Sequence, residues 1–62
     1  MDKPRKVPDV GSKVVSVWPR LGDEGVMTVV KTDPWTHALT DTLVRNAHGD
    51  LCWYAASDLR PV

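Results

Sequence analysis

The sequence predicts an all-β fold in which five short strands form one small barrel. Valine, threonine and tryptophan are concentrated in short runs, and such β-branched and aromatic residues favour strands over helices. Glycine and proline stand between these runs and mark loops and turns. The chain has 62 residues and ten valines but no phenylalanine, which suits one small core lined by small side chains.

The first half of the chain predicts an arm, two strands and an acidic loop. Residues 1–9 contain two prolines and no apolar period, so we expect a flexible N-terminal arm before a barrel over residues 10–62. A first strand is predicted over 13–18, and Pro19 ends it. In the loop 20–25 two glycines flank two acids, and the β-branched residues after it predict a second strand over 26–32.

The second half predicts three more strands. Pro34 removes a hydrogen-bond donor and places a loop after the second strand. Threonine and valine favour a third strand over 39–45, although the spacing from Leu39 to Leu43 leaves a helix open. Further along we expect a turn over 46–50, a fourth strand over 51–55, a short 3-10 turn over 56–58 and a last strand over 59–62. The predicted core consists of Val15, Val17, Val29, Leu43, Leu51, Trp53 and Leu59.

The charge balance argues against a sequence-independent nucleic-acid binder. Lysine and arginine number eight, aspartate and glutamate also eight, and the formal net charge is zero. Residues 10–62 carry five cations and six acids, whereas proteins that bind phosphates usually carry a positive excess. A net charge near zero gives little repulsion between copies, so self-association is compatible with the composition.

Composition also excludes other classes of protein. No apolar run approaches the roughly 20 residues that a membrane span needs, and the basic N-terminus lacks the apolar stretch of a secretory signal. Cys52 is the only cysteine, so a disulfide framework is excluded. A lone cysteine fits a reducing cytoplasm, where we expect the protein to act.

The pattern resembles the SH3-like small-barrel class over residues 10–62. The resemblance is carried by Val10-Gly11-Ser12-Lys13-Val14 at the start, by Gly25-Val26 at the second strand, and by the segment 53–59 before the last strand. The class includes binders of proline-rich peptides, ribosomal and transcription modules, and small subunits of assemblies. The resemblance implies a five-stranded barrel with a 3-10 turn before the last strand, and it leaves the function open.

A weaker resemblance connects residues 51–59 to the type II dihydrofolate reductase barrel, a homotetramer with one active pore. Tyr54 matches the tyrosine of its active-site strand. Cys52 stands where that family has the glutamine that contacts ligands, and Trp53 replaces its isoleucine. Because the ligand-contacting amide is missing, this resemblance supports the fold only.

Aromatic and acidic residues suggest a partner-binding face. Aromatic rings commonly anchor interfaces and dock extended peptides, and acids on neighbouring loops pair with basic residues of a peptide. The bland alternatives are that Trp18 lies half buried beneath a loop, that Trp53 belongs to the core, and that the acids are simply solvated. The predicted face consists of Trp18, Trp35, Tyr54, Asp23, Glu24 and Asp33.

Basic residues near the N-terminus suggest phosphate contacts, with a solvated tail as the alternative. They are Lys3, Arg5, Lys6 and Lys13. A zinc site would have to start from His37, His48 and Cys52, which are too few for a structural site, so we expect no metal and no cofactor. No serine or cysteine lies in a nucleophile motif, and we expect the chain not to be an enzyme.

These observations together predict a small non-enzymatic interaction module. We expect an accessory or regulatory protein of a bacterium, phage or plasmid that docks on a protein partner through a tryptophan-containing barrel face. Two alternatives stay open. One is a nucleic-acid-associated or ribosome-associated barrel of the KOW type, and the other is an oligomeric enzyme whose site forms only at a symmetry axis.

Overall fold

The computed structural model describes residues 4–62 as a single antiparallel sheet of five strands. The strands are β1 (Lys13–Ser16), β2 (Met27–Thr32), β3 (Thr42–Arg45), β4 (Leu51–Tyr54) and β5 (Leu59–Pro61), with a 3-10 turn at Ala56–Asp58. The described residues contain no α-helix, so none could cross a membrane as a helix. The predicted all-β class is confirmed, and so is the 3-10 turn before the last strand. The helical alternative at Leu39 is wrong.

The strand order across the sheet is β4-β3-β2-β1-β5. Strands β1 to β4 follow one another as a meander, and β5 returns to pair with β1 through Val15 and Arg60. Within residues 4–62, β4 and β5 are the two edges and do not pair with each other, so the sheet is open. A β-bulge between Val29 and Lys31 interrupts the ladder of β2 with β3, and such a bulge increases local twist.

The observed strands are shorter than predicted, most clearly at β3. This strand begins at Thr42, and Leu39 lies in the preceding loop with 87% of its surface exposed. Pairing explains the boundary, because Thr42 lies opposite both Thr32 and Tyr54. The backbone of Asp41 continues these contacts, since it accepts from the Asp33 N–H at 2.8 Å and donates to the Tyr54 carbonyl at 3.1 Å. Leu39 and Thr40 have no such strand partner, so their β propensity alone does not make a strand.

The core lies on one face of the sheet, which we call the inner face. It is formed by Val14, Met27, Val29, Val44, Tyr54 and Leu59, with Cys52 packed against it. Loop 17–26 contributes the buried side chain of Asp23 to the same side of the sheet, where it contacts Cys52 and Tyr54.

Only two of the seven predicted core residues, Val29 and Leu59, are buried. Four of the other five lie on the opposite side of their strands: Val15 and Leu43 are half buried, and Leu51 and Trp53 are exposed. Val17 is exposed in the loop that follows β1. The reason is that Val15, Leu43 and Trp53 each have an apolar neighbour in the sequence, so the alternation pattern does not show which residue of the pair faces the core. Val14, Val44 and Tyr54 occupy the core in place of Val15, Leu43 and Trp53, and one-residue phase errors of this kind move a whole strand to the other face.

Asp41 joins the 3-10 turn to the start of β3. Its carboxylate is buried and accepts hydrogen bonds from the Thr42 hydroxyl at 3.0 Å and from the Ala56 backbone N–H at 2.8 Å. Arg5 approaches the same carboxylate at 3.6 Å and donates to the Ala38 carbonyl at 2.6 Å. The arm is therefore in contact with the loop between β2 and β3.

The β3–β4 hairpin closes through a turn that requires glycine. The Gly49 N–H donates to the Asn46 carbonyl at 3.0 Å, and the Asn46 N–H donates to the Asp50 carbonyl at 2.9 Å. Gly49 has a φ of 87°, which corresponds to a type I turn followed by a residue in the left-handed region. The turn was predicted over these residues, and its geometry explains the glycine.

Replacing Gly49 with alanine should lower the free energy of unfolding by about 1–2 kcal/mol. The cost comes from the backbone, because an added Cβ would meet no atom within 4 Å. Gly49→Asn is the matched control and should lose less, since asparagine tolerates positive φ. Urea denaturation measures both, and equal stability of Gly49→Ala and the unchanged protein would contradict this turn geometry.

Candidate binding face

Asp23 connects loop 17–26 to the β3–β4 hairpin. One carboxylate oxygen, Oδ2, accepts a 2.6 Å hydrogen bond from the Tyr54 hydroxyl. The other, Oδ1, accepts bonds from Asn46 Nδ2 at 2.7 Å and from the Cys52 thiol at 3.5 Å. A buried carboxylate is costly unless such donors replace the water it has lost. Here three side chains of the hairpin perform that role.

Asn46 extends this connection into the hairpin turn. Its side-chain oxygen accepts backbone hydrogen bonds from His48 at 2.9 Å and from Asp50 at 3.0 Å, while its amide nitrogen donates to Asp23. Asparagine provides both an acceptor and donors, so one side chain fixes the turn and holds the loop. The loop and the turn are therefore locked in one arrangement.

Arg20 holds the edge strand β4 from the same loop. Its guanidinium lies 4.3 Å from the centroid of the Tyr54 ring and donates a 3.0 Å hydrogen bond to the Trp53 carbonyl. Stacking of arginine on a tyrosine face is favourable because the ring face is electron-rich. The loop thus contacts three consecutive residues of β4, namely Cys52, Trp53 and Tyr54.

The pKa values of this cluster shift in the directions that its hydrogen bonds require. Donation from Tyr54, then from Asn46, lowers the pKa of Asp23 below the ordinary aspartate value, despite its burial. Burial, together with donation to Asp23, raises the pKa of Tyr54 and of Cys52. At neutral pH the cluster is therefore an ionised carboxylate held by protonated donors.

The contacts of Asp23 and Arg20 with β4 determine where the Trp53 side chain points. The side chains of Cys52 and Tyr54 are turned inward to Asp23, and side chains alternate along a strand. Trp53 lies between them and is therefore directed to the opposite side of the sheet, which we call the outer face. It is 40% exposed, and its carbonyl is fixed by Arg20.

Two cross-strand rows define the outer face. The first contains Lys13, Thr28, Arg45 and Leu51, and the second contains Lys31, Leu43 and Trp53. The hydrogen bond from Lys13 Nζ to Thr28 Oγ1 at 2.7 Å confirms that the first two share this side. The first row has cations on β1 and β3, the second has one on β2, and both rows end on β4 with an apolar side chain. Arg60 joins the face opposite Val15.

The strands carry charge of one sign only. Their charged residues are Lys13, Lys31, Arg45 and Arg60, all exposed on the outer face. The acidic residues of the described chain lie in loops, in turns or in the buried cluster. A protein with zero net charge thus has one distinctly basic face, and Trp53 and Leu51 lie within it.

The structure separates the residues of the predicted partner-binding face. Tyr54 and Asp23 are each only 3% exposed and bind each other, so they support the sheet from its inner side and offer no contact surface. Trp18 and Trp35 are exposed, by 77% and 63%. They follow the C-terminal ends of β1 and β2, and because these strands are antiparallel, the two rings lie at opposite ends of the sheet.

The two remaining acids of that prediction are exposed and bind their own loops. Glu24 Oε2 accepts the Gly22 N–H at 3.0 Å, and Asp33 Oδ1 accepts the Trp35 N–H at 3.2 Å. The loop of residues 33–41 borders the outer face at Trp53. A hollow of about 300 Å³ lies there, lined by Trp53 and by four residues of the loop, including Asp33 and Thr36.

The predicted phosphate-contact residues also separate. Lys13 belongs to the outer face, whereas Arg5 binds Asp41 and the 33–41 loop. Lys6 lies exposed in the arm, and Lys3 lies outside the described residues. The sequence does not predict Lys31, Arg45 and Arg60 as site residues, because only strand pairing brings them together. The sequence does show that each is the single charged residue of its strand.

Nothing in the described chain forms a metal centre. Within residues 4–62 no three His, Cys, Asp or Glu side chains come close enough to hold an ion. His37 and His48 are exposed on separate loops, and the Cys52 thiol donates to Asp23. Comparisons with protein-family models, curated proteins and solved structures found no match to this chain.

Replacing Asp23 with asparagine should lower the free energy of unfolding at neutral pH by about 1–3 kcal/mol, the cost of leaving a buried donor without its acceptor. The new amide could not accept from Tyr54, Asn46 and Cys52 together. Glu24→Gln is the matched control, because Glu24 is the next residue and its carboxylate is exposed. This substitution should change the free energy of unfolding by no more than about 0.5 kcal/mol. Urea denaturation distinguishes the two, and equal losses would contradict the central role of Asp23.

Stability should also depend on pH through the same cluster. Because the folded pKa of Asp23 is lowered, its contribution is complete above the unfolded value of about 3.9 and is lost as pH falls through the folded value. Tyr54 has the opposite sign, so its contribution is lost as pH rises beyond about 10 through its raised folded pKa. Unfolding free energies across pH should show a shallower acid decline for Asp23→Asn and a shallower alkaline decline for Tyr54→Phe. Unchanged slopes would contradict the assignment.

Proposed function

We propose that the protein is a small non-enzymatic interaction module that docks on a partner macromolecule through the outer face of its sheet. The observation that carries this proposal is the placement of Trp53 and Leu51, exposed by 40% and 53%, among four cations on one sheet face. Exposed apolar groups gathered on one side and bordered by polar residues mark interaction sites. Tryptophan and arginine are also common anchors of interfaces.

The rigidity of the face supports the same proposal. The Asp23 cluster and Arg20 fix the backbone and both neighbours of Trp53, so the ring is presented without a loss of loop freedom on binding. Such preorganisation lowers the entropic cost of association. The hollow beside Trp53 would extend the contact surface toward the 33–41 loop and its exposed Trp35.

We further propose that the architecture belongs to the SH3-like small-barrel class, with an open sheet. The support is the meander β1 to β4, the return of β5 to β1, and the 3-10 turn immediately before β5. Such barrels serve many unrelated functions, so the assignment of a task rests on the outer face and not on the fold.

An oligomeric enzyme receives no support from a specific arrangement of groups. The titratable cluster around Asp23 is internal, and its donors and acceptors are all used within the fold. Such a cluster holds a structure together and offers no free nucleophile or base to a substrate.

A capture experiment with matched variants tests the proposed face. The bait carrying Leu51→Ser and Trp53→Ser should lose the material that the unchanged protein retains from bacterial lysate. The control bait carries the same chemical changes at Leu21 and Trp18, both exposed in loop 17–26, and should retain it. Circular dichroism checks that both variants fold. Loss with the control and retention with the outer-face variant would move the contact surface to the loop.

Light scattering on the purified protein separates a second copy from a foreign partner. A dimer that dissociates only when Leu51 and Trp53 are replaced would make the outer face a self-association surface.

A further inference from the structure

The cations of the outer face are spread across it and do not form a cluster at one point. Lys13 and Arg45 lie in the same row with Thr28 between them, so their backbones are about 10 Å apart. Lys31 lies three positions along β2 from Thr28, on the other side of the bulge, and Arg60 lies on the far edge. This gives a broad positive surface of four side chains.

None of these four cations forms an ion pair with an acid of residues 4–62. The one ion pair within residues 4–62 joins Arg5 to Asp41. Interfaces between proteins are depleted in lysine at their centres, whereas surfaces that bind nucleic acids are polar and strongly positive. The strands of this face carry Lys13 and Lys31 and no acid, which resembles the second kind, and Asp33 lies at the border of the face in the hollow beside Trp53.

Trp53 supplies what a phosphate-binding surface alone would lack. Proteins that bind single strands combine a positive track for the backbone with aromatic rings on which bases stack. Trp53 ends the row that begins at Lys31, is partly exposed, and has its backbone carbonyl held by Arg20. Reading a duplex requires an element that enters a groove, usually a helix or a two-stranded ribbon, and the outer face is a sheet surface without either.

We propose that the outer face binds single-stranded nucleic acid, with Lys13, Lys31, Arg45 and Arg60 on the phosphates and Trp53 stacked on a base. This inference rests on the proposed function and names the chemistry of its partner. Overall neutrality does not oppose it, because the acids of residues 4–62 lie outside the strands of this face, with Asp33 at its border beside Trp53 and Asp9 in a cavity with Lys13 and Arg60. Local potential, and not net charge, determines where a polyanion is attracted.

The test measures binding of a fluorescein-labelled oligothymidylate of about 12 nucleotides, a length within the usual site sizes. Fluorescence anisotropy follows the affinity as salt rises from about 50 to 200 mM. Neutralising four phosphates on a single strand predicts a slope of log K against log salt near −2.8, or roughly a 50-fold loss over that range. A flat salt response would overturn the proposal.

Matched variants locate the contact. Lys31→Gln should reduce the magnitude of the slope by about 0.7, whereas Lys31→Arg, which keeps the charge, should leave it unchanged. Trp53→Ala should weaken binding by at least about 5-fold, the lower end for loss of one stacked base. Trp18→Ala should not weaken binding, since Trp18 lies in loop 17–26 and not on a strand of the outer face. Equal effects of the paired changes would overturn the assignment to this face.

Two further probes separate this inference from the proposed function. The first probe is poly-glutamate. If it binds as tightly as the oligonucleotide and Trp53→Ala does not weaken its binding, the partner is an acidic protein, which overturns the nucleic-acid inference and keeps the proposed interaction module. Absence of oligonucleotide binding at about 50 mM salt overturns the nucleic-acid inference. If the capture experiment then retains nuclease-resistant material that depends on Leu51 and Trp53, the module itself still stands.

Discussion

The burial of one carboxylate, Asp23, is the constraint on which much of this small structure depends. Its two oxygens accept from Tyr54, Asn46 and Cys52, and no lysine or arginine forms an ion pair with it among the described residues. Taking a charge out of water costs several kcal/mol unless hydrogen bonds replace the solvent. Loop 17–26 carries the carboxylate and the β3–β4 hairpin carries its donors, so we expect these two segments to fold and unfold together.

The same carboxylate connects the inside of the sheet to its outside. By drawing Cys52 and Tyr54 inward it leaves Trp53 no direction except outward, and Arg20 fixes the Trp53 carbonyl in the same step. A residue of the proposed contact surface is thus positioned by groups that the partner would never touch. In β4, therefore, buried supporting residues and the proposed contact residue are separated by a single peptide bond.

The sequence sufficed for the all-β class, the order of elements, the hairpin turn and the 3-10 turn, because those depend on local propensity and on glycine. It did not suffice for the faces of the strands. Leu43-Val44 and Trp53-Tyr54 each place two apolar residues side by side, and only pairing across the sheet decides which one is buried. The basic face is not visible in the net charge of the chain, because it arises only when pairing brings one cation from each of β1, β2, β3 and β5 to the same side.

The bulge at Val30 has a consequence for how this chain can change length. Val29 faces Val44 and Lys31 faces Leu43, so Val30 is the extra residue of the ladder and has no partner of its own. Removing it would leave Lys31 and Thr32 opposite their present neighbours, whereas a deletion at a paired position would invert the faces of the strand beyond it. Insertions and deletions at this one position would alter the curvature of the sheet and keep its two faces distinct.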